Sequence, residues 1–410
     1  MKIVGPFTQL LSMQNLPLKG SLQDEQLDII KNAGICINAD GNIEKVGDYD
    51  QLIQDYPDAK VEKLEGNKVA IPGLIDSHTH ICFGGTRAMD FAMRNAGKSY
   101  MDIAREGGGI WSTVVQTRKA TQEELTQGIV DRANELLALG ITTVEVKSGY
   151  GLTVEEELKM LRAIKEANKR TKQTLIPTCL AAHTLPKDFE GNHAEYLKLM
   201  QEELFPVLIE ENLAKRMDAF IEEEAFDEAV TIPYFQKAKE MGFDITVHAD
   251  QFSTGGSEVA IKIGAVSADH LEASTQKEVE MLANSDTVAT ALPGATLGLG
   301  CAFTPARALL DAGACVSIAS DWNPGSGPQG NLLSQASIIA TFQKLSNAEV
   351  FAGITSRAAY ALREDKIGQI DKGFEANFAI FDTDNYQEIT YQQGRLIPSA
   401  VYVKGESVLN

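Results

Sequence analysis

From about Val69 onward the chain alternates two hydrophobic rhythms. Short, nearly unbroken apolar runs are followed by longer stretches whose apolar residues recur every three or four positions. The first pattern is that of a strand buried on both faces, the second that of an amphipathic helix. Eight runs of the first kind occur: Lys68–Asp76, Thr142–Lys147, Thr174–Leu180, Asp218–Glu222, Asp244–His248, Ala265–His270, Thr287–Leu292 and Cys315–Ser320. The helices between them carry end signals. Thr121-Gln-Glu-Glu124 reads as a capping box, followed by Leu125, Ile129, Ala133, Leu136 and Leu137 at helical spacing and by Gly140 as the stop. Thr153-Val-Glu-Glu156 repeats the device ahead of Leu158, Leu161 and Ile164, and Pro305 and Gly313 bracket a further helix.

Before Val69 the pattern is different. Short strands are punctuated by Ala39-Asp-Gly-Asn and Gly47-Asp-Tyr, which read as hairpin turns, and Gln51–Tyr56 suits one short helix. After about Arg363 strands return, at Ala376-Asn-Phe-Ala-Ile-Phe and Ala400-Val-Tyr-Val. Eight strand-then-helix units predict an α/β fold, a (β/α)8 TIM barrel over residues 69–360. The β-rich ends, 1–68 and 361–410, are expected to pair into one small sandwich-like composite domain. A doubly wound open sheet is the competing fold, but it would gather its polar residues at one switch point. Here they fall at the C-terminal ends of several strands, where barrels build their sites.

Composition narrows the function classes. A hydrophobic content of 44% and a charged content of 23% are ordinary for a globular chain, and a net charge of −20 opposes binding to nucleic acid. The five cysteines include no CxxC pair, which suits reduced thiols in a cytoplasmic protein. The N-terminus lacks a signal-peptide pattern, and no apolar run approaches the roughly 18 residues of a membrane helix.

The candidate chemistry lies at the strand ends. The first apolar run closes on His78-Thr-His80; alternate residues of a strand face one side, so both imidazoles point to one place. His248, His270 and Asp321 end three later runs. The set His78, His80, His248 and Asp321 offers three imidazoles and a carboxylate, donors suited to zinc or iron. Cys82 is spaced to face the same side as His80, but reads as a small buried residue, and His193 reads as a surface residue at a polar helix start. Gly107-Gly-Gly109 follows no strand with a P-loop lysine and reads as a loop near the site mouth.

Pro72-Gly-Leu-Ile-Asp-Ser-His78-Thr-His80 resembles the first-strand signature of the amidohydrolase superfamily. Within it the chain is similar to the imidazolonepropionase family, through Gly84-Gly-Thr-Arg87, Lys147-Ser-Gly-Tyr150-Gly, Ala182-His183, His248-Ala-Asp-Gln251 and Asp321-Trp-Asn323-Pro-Gly325-Ser326. The resemblance implies hydrolysis of the cyclic amide 4-imidazolone-5-propanoate to N-formimidoyl-L-glutamate, the third step of histidine degradation. It implies a metal held by His78, His80, His248 and Asp321, with His270 and Asp321 as catalytic groups. Arg87, Tyr150, His183, Gln251, Asn323, Gly325 and Ser326 are the implied substrate contacts. Two-metal relatives bridge their ions with a lysine on the fourth strand. Asp218-Ala-Phe-Ile-Glu222 has none and Lys147 ends the second, so one divalent ion per chain is expected, Zn(2+) or Fe(2+/3+). A homodimer acting on a small molecule, without membrane or nucleic acid, completes the expectation. The alternatives are a deaminase or other cyclic amidase of the same fold, which would not need Arg87 for a carboxylate tail, and a non-catalytic relative, which would have lost metal ligands.

Overall fold

A computed structural model describes residues 1–98, 100–223 and 225–409. Two sheets organise it. The first draws on both ends of the chain: β1 (Lys2–Leu11), β2 (Ile29–Ile37), β3 (Ile43–Asp48), β4 (Lys60–Lys63) and β5 (Val69–Pro72). The second is built from β6 (Leu74–Asp76), β7 (Ile141–Lys147), β8 (Thr174–Ala182), β9 (Arg216–Ala219), β10 (Asp244–Ala249), β11 (Ser267–His270), β12 (Val288–Ala291) and β13 (Val316–Ile318). The chain then returns to the first sheet with β14 (Phe378–Phe381), β15 (Ala400–Val403) and β16 (Glu406–Ser407).

Strands β6 to β13 pair in sequence order, all parallel, with helices between them. The ring closes beyond the ends of β6 and β13. There Asp321 N donates to His78 O at 3.1 Å and His80 N donates to Trp322 O at 2.9 Å. Closure therefore occurs at the C-terminal rim, among the very residues that carry the candidate chemistry.

The other sheet runs β16-β15-β14-β5-β1-β2-β3, with β4 parallel to the start of β1 on the edge that β5 uses further along. Residues from opposite ends of the chain share its core: Val4, Phe7 and Ile35 pack with Ile370, Phe378 and Tyr402.

Several expectations are corrected in detail. The run Lys68–Asp76 is two strands, β5 in the terminal sheet and β6 in the barrel. Gly73 makes the transfer: a Cβ there would lie 2.3 Å from Thr142 Oγ1, so only glycine lets the chain pass β7 this closely. Gly47-Asp-Tyr is not a hairpin turn. Asp48 caps the helix Tyr49–Asp55, accepting from Gln51 N at 3.0 Å. Thr121 and Glu124 form the full capping box, whereas Thr153 caps without a reciprocal bond because Glu156 pairs with Lys159. The fourth barrel strand starts earlier, at Arg216, and beyond Ala219 it continues only as isolated bridges at Phe220 and Ile221. Among the described residues, no helix is long and apolar enough to cross a membrane.

Candidate active site

β6 ends at Asp76, and the chain that follows carries His78 and His80 over the barrel mouth. β10 delivers His248, β11 delivers His270, and the turn after β13 delivers Asp321. All five side chains are buried. His80 Nε2 lies 3.3 Å from His78 Nε2 and 3.2 Å from His248 Nε2. Asp321 Oδ1 approaches from the fourth side, 3.6 Å from His78 Nε2 and 3.4 Å from His80 Nε2, and among the described residues no hydrogen-bond donor serves it.

The second nitrogen of two imidazoles settles what the first can be. His78 Nδ1 lies 2.7 Å from Asp269 Oδ2, and His248 Nδ1 lies 2.9 Å from Asp218 Oδ2. A carboxylate accepts, so the hydrogen bond at His78 puts the proton on its Nδ1, and the Asp218 carboxylate, close to His248 Nδ1 though off the hydrogen-bond direction, draws the proton to that nitrogen too; each Nε2 then presents a bare lone pair. Two such lone pairs, with His80 Nε2 and an unpartnered carboxylate oxygen, repel one another unless a cation lies between them. The donor set fits a divalent metal, and carboxylate–imidazole pairs of this kind orient metal-binding histidines generally. Among the described residues, His78, His80 and His248 are the group of ligand-type atoms close enough to share one ion.

Burial dominates the titration of these groups. It pushes the His248 imidazole down to about 4, and that of His183 to about 3. His270 goes the other way: burial opposes protonation, but the Glu272 carboxylate, 3.4 Å from its Nδ1, holds it above the usual histidine value.

The site carries backbone strain. His270 has φ +88°, Leu271 +68°, Asp250 +50° and Asp321 +49°, all in the left-handed region that non-glycine residues seldom occupy. Each is tied down. Thr304 Oγ1 donates to His270 O at 2.5 Å. Asp250 accepts from Gly255 N, Ser257 N and two serine hydroxyls. Asp321 is held by Asn323, whose Nδ2 donates to Asp321 Oδ2 at 2.9 Å and to Asp321 O at 2.8 Å.

A cavity of about 580 Å³ opens over this centre. His80, His248, His270 and Asp321 line it, together with Arg87, Tyr150, His183, Gln251, Asn323 and Ser326. Gly325 is not a lining residue, but it packs against Arg87 and its N–H donates to Asn323 Oδ1 at 2.8 Å. Arg87 Nε donates to Asp90 Oδ2 at 2.8 Å, and among the described residues the two terminal nitrogens of the guanidinium make no hydrogen bond. Gly109 N donates to the same Asp90 oxygen, so the glycine run does reach the cavity mouth. The His183 ring stacks on His80 at 5.7 Å and its Nδ1 lies 2.9 Å from Gly149 O. A carbonyl accepts, so His183 Nε2 is also a bare acceptor.

Cys82 is buried in the hydrophobic core with its thiol pushed up by burial, so it is a packing residue. His193 is half-buried rather than free on the surface, its ring 5.2 Å from that of Phe226.

Several site-forming residues escaped the reading of the sequence. Asp218 and Asp269 set the histidine tautomers. Glu157, fully buried, accepts from Gly151 N and Leu152 N at 2.8 Å each and from Gly149 N at 3.1 Å, and so shapes the loop that carries Tyr150. Glu145 and Lys147 lie side by side at the end of β7, whose seven residues are all buried. The available signal was a charge inside an apolar run, since unpaired charges are almost never fully buried.

Comparison with known proteins agrees with this architecture. Residues 69–408 match the model of the amidohydrolase family. The chain belongs to the amidohydrolase family. It is 36% identical to an imidazolonepropionase of Bdellovibrio bacteriovorus over 97% of this chain and 94% of that one. An imidazolonepropionase of Clostridium tetani is 34% identical, covering 99% and 97%, and one of Bacillus cereus is 41% identical, covering 83% and 81%. Among solved structures, a zinc-bound adenosine deaminase from Xanthomonas campestris superposes with a TM-score of 0.72 at 16% identity, over 99% of this chain and 92% of that one. A guanine deaminase from C. acetobutylicum gives 0.72 at 16%, over the whole of both chains. At such identities these two structures speak for the fold alone.

Proposed function

We propose that this amidohydrolase is an imidazolonepropionase: it opens the ring of 4-imidazolone-5-propanoate with water to give N-formimidoyl-L-glutamate, the third step of histidine degradation. The observation that carries the reading is one cavity that opens over the three-imidazole, one-carboxylate centre and is also lined by Arg87, whose terminal nitrogens make no hydrogen bond to another of the described residues. The three relatives of that name, matched over most of their length, support it.

His78, His80, His248 and Asp321 would hold one divalent ion, zinc or iron. When bound, such an ion supplies Lewis acidity and lowers the pKa of a water ligand toward neutrality. A single ion is favoured because Lys147 is engaged by Glu145 and Asp218 on the far side of the histidines and is not free to bridge two.

The chain's own residues do the rest. Arg87 grips the propionate carboxylate with two parallel hydrogen bonds. Tyr150 and His183 bear on the imidazolone ring, and His183 Nε2 accepts from a ring N–H. Gln251 orients the substrate; an amide is no base, so it moves no proton. Asn323, Gly325 and Ser326 shape the pocket wall. Asp321 takes the proton of the attacking water and passes it to the departing ring nitrogen. His270, beside the ligands, stabilises charge that develops on the carbonyl oxygen. A nucleobase has no carboxylate for Arg87 to hold, which sets this reading apart from a deaminase.

Free cysteines throughout favour a cytoplasmic setting, and symmetric pairing is the commonest assembly, so a cytoplasmic homodimer is proposed with it. Metal-loaded protein incubated with freshly prepared imidazolone propionate tests the activity. Formimidoylglutamate detected by mass spectrometry is the expected product; no consumption of substrate would overturn the assignment.

A further inference from the structure

Behind the histidines lies a buried cation for which the reaction above has no use. Lys147 is fully buried at the end of β7. Its Nζ lies 2.7 Å from Glu145 Oε1, 2.8 Å from Asp218 Oδ2 and 4.0 Å from Asp269 Oδ2. Two of those oxygens recur at the centre itself. Asp218 Oδ2 is the atom that faces His248 Nδ1, and Asp269 Oδ2 is the atom that faces His78 Nδ1. One ammonium thus anchors both carboxylates that orient metal-facing imidazoles. The third partner, Glu145, reaches the residue between His78 and His80: its Oε2 accepts from Thr79 N at 3.3 Å, and its backbone carbonyl accepts from Thr79 Oγ1 at 2.6 Å.

Stability alone does not account for this arrangement. Taking a lysine and three carboxylates out of water costs more than their mutual attraction reliably returns, and well-packed apolar side chains of similar volume often do as well or better. What apolar residues cannot do is hold two carboxylates in place behind two imidazoles. The carboxylates have further tethers, since Asp218 Oδ1 accepts from His248 N at 3.1 Å and Asp269 Oδ2 accepts from Thr246 Oγ1 at 3.0 Å. Among the described residues, Lys147 is the cation paired with both, closely with Asp218 at 2.8 Å and at the longer distance of 4.0 Å with Asp269.

We propose that Lys147 is a positioning residue for the metal centre, its ammonium locking Asp218 and Asp269 so that His248 and His78 present Nε2 to a single ion. The proposal rests on the metal-binding half of the reading above and is independent of the substrate.

The test is zinc affinity, measured on apoprotein by competition with a chromophoric chelator, with circular dichroism as the check on folding. Lys147→Met is expected to bind zinc about tenfold or more weakly, the range typical for loss of an outer-shell partner. Unchanged affinity overturns the proposal. A second measurement separates positioning from general packing. In the Asp218→Asn/Asp269→Asn background the residues through which Lys147 acts are gone, so adding Lys147→Met should cost less than about threefold further. A full additional tenfold loss there would assign the effect to packing and overturn the proposal. Should Lys147→Met fail to fold, Lys147→Met/Glu145→Gln removes the same anchor with one fewer uncompensated charge and must show the same loss. If neither folds, Lys147 serves the fold and the proposal fails. Wild-type protein that binds zinc tightly but leaves imidazolone propionate untouched sinks the substrate assignment and not this one.

Discussion

Gly325 packs against Arg87 so closely that a Cβ on it would lie 2.2 Å from the guanidinium Nη1. The two residues are far apart in sequence, yet the missing side chain of one is the room in which the other places its charge. Gly325 has no left-handed φ, so alanine suits its backbone and the clash is with Arg87 alone. Gly325→Ala should therefore fold normally and displace the guanidinium. A charge-assisted bond is worth about 1.5–3 kcal/mol, so kcat/KM is expected to fall roughly 10- to 100-fold, mainly through KM. Steady-state kinetics beside Arg87→Ala checks this; a Gly325→Ala enzyme with wild-type KM would remove Arg87 from the carboxylate site.

His270 lies beside the metal-facing histidines, its ring 5.2 Å from that of His248, without joining their shared centre. His270→Ala should lower kcat by about 10²- to 10⁴-fold, the usual worth of a positioned proton-transfer or oxyanion group. Zinc content should stay at the wild-type level. Asp321→Asn, by contrast, should lose both turnover and metal affinity, because its Oδ1 is one of the facing donors. Elemental analysis alongside kinetics distinguishes the two; normal turnover in His270→Ala would refute its role.

Removing the metal should soften the barrel rim as well as abolish activity. Mutually facing imidazoles and a carboxylate without a cation repel, and a ligand that binds only the folded state stabilises by about 2.7 kcal/mol at a hundred times its Kd. Dialysis against a chelator is expected to lower Tm, and one equivalent of zinc per chain should restore it. Two tightly held ions per chain would contradict the single-ion reading.

Glu62 joins the two ends of the chain: it pairs with Lys2 at 3.0 Å and accepts the Tyr402 hydroxyl. Burial raises its carboxyl, but Tyr402 and Lys2 outweigh that and hold it below the ordinary value of 4.5. A lowered carboxyl contributes stability above the unfolded value, and loses it as pH falls through the folded one. The side chain is about one-third exposed, so screening keeps the effect small. Glu62→Gln should lower Tm near pH 7, and the gap from wild type should narrow as the pH approaches 4. A gap that widens in acid would show the carboxyl is not held low by these partners.

The local patterns of the chain already carried much of this molecule. Thr121 and Glu124 mark a helix start because a capping box is satisfied within four residues. His78 and His80 converge because alternate residues of an extended chain share a side. The order of strands and helices followed because each element's hydrophobic period is written in its own residues. Which charges meet was a different matter. Lys147 reads locally as the polar end of an apolar run, and nothing near it in sequence shows that Asp218 and Asp269 close around it. The transfer at Gly73 from one sheet to the other, and the space Gly325 leaves for Arg87, were equally invisible. Secondary structure answers to forces between neighbours, and those were determined by sequence alone. The pairing of buried charges and the contact of distant backbones answer to which elements the closed barrel brings together, and only the tertiary structure decided that.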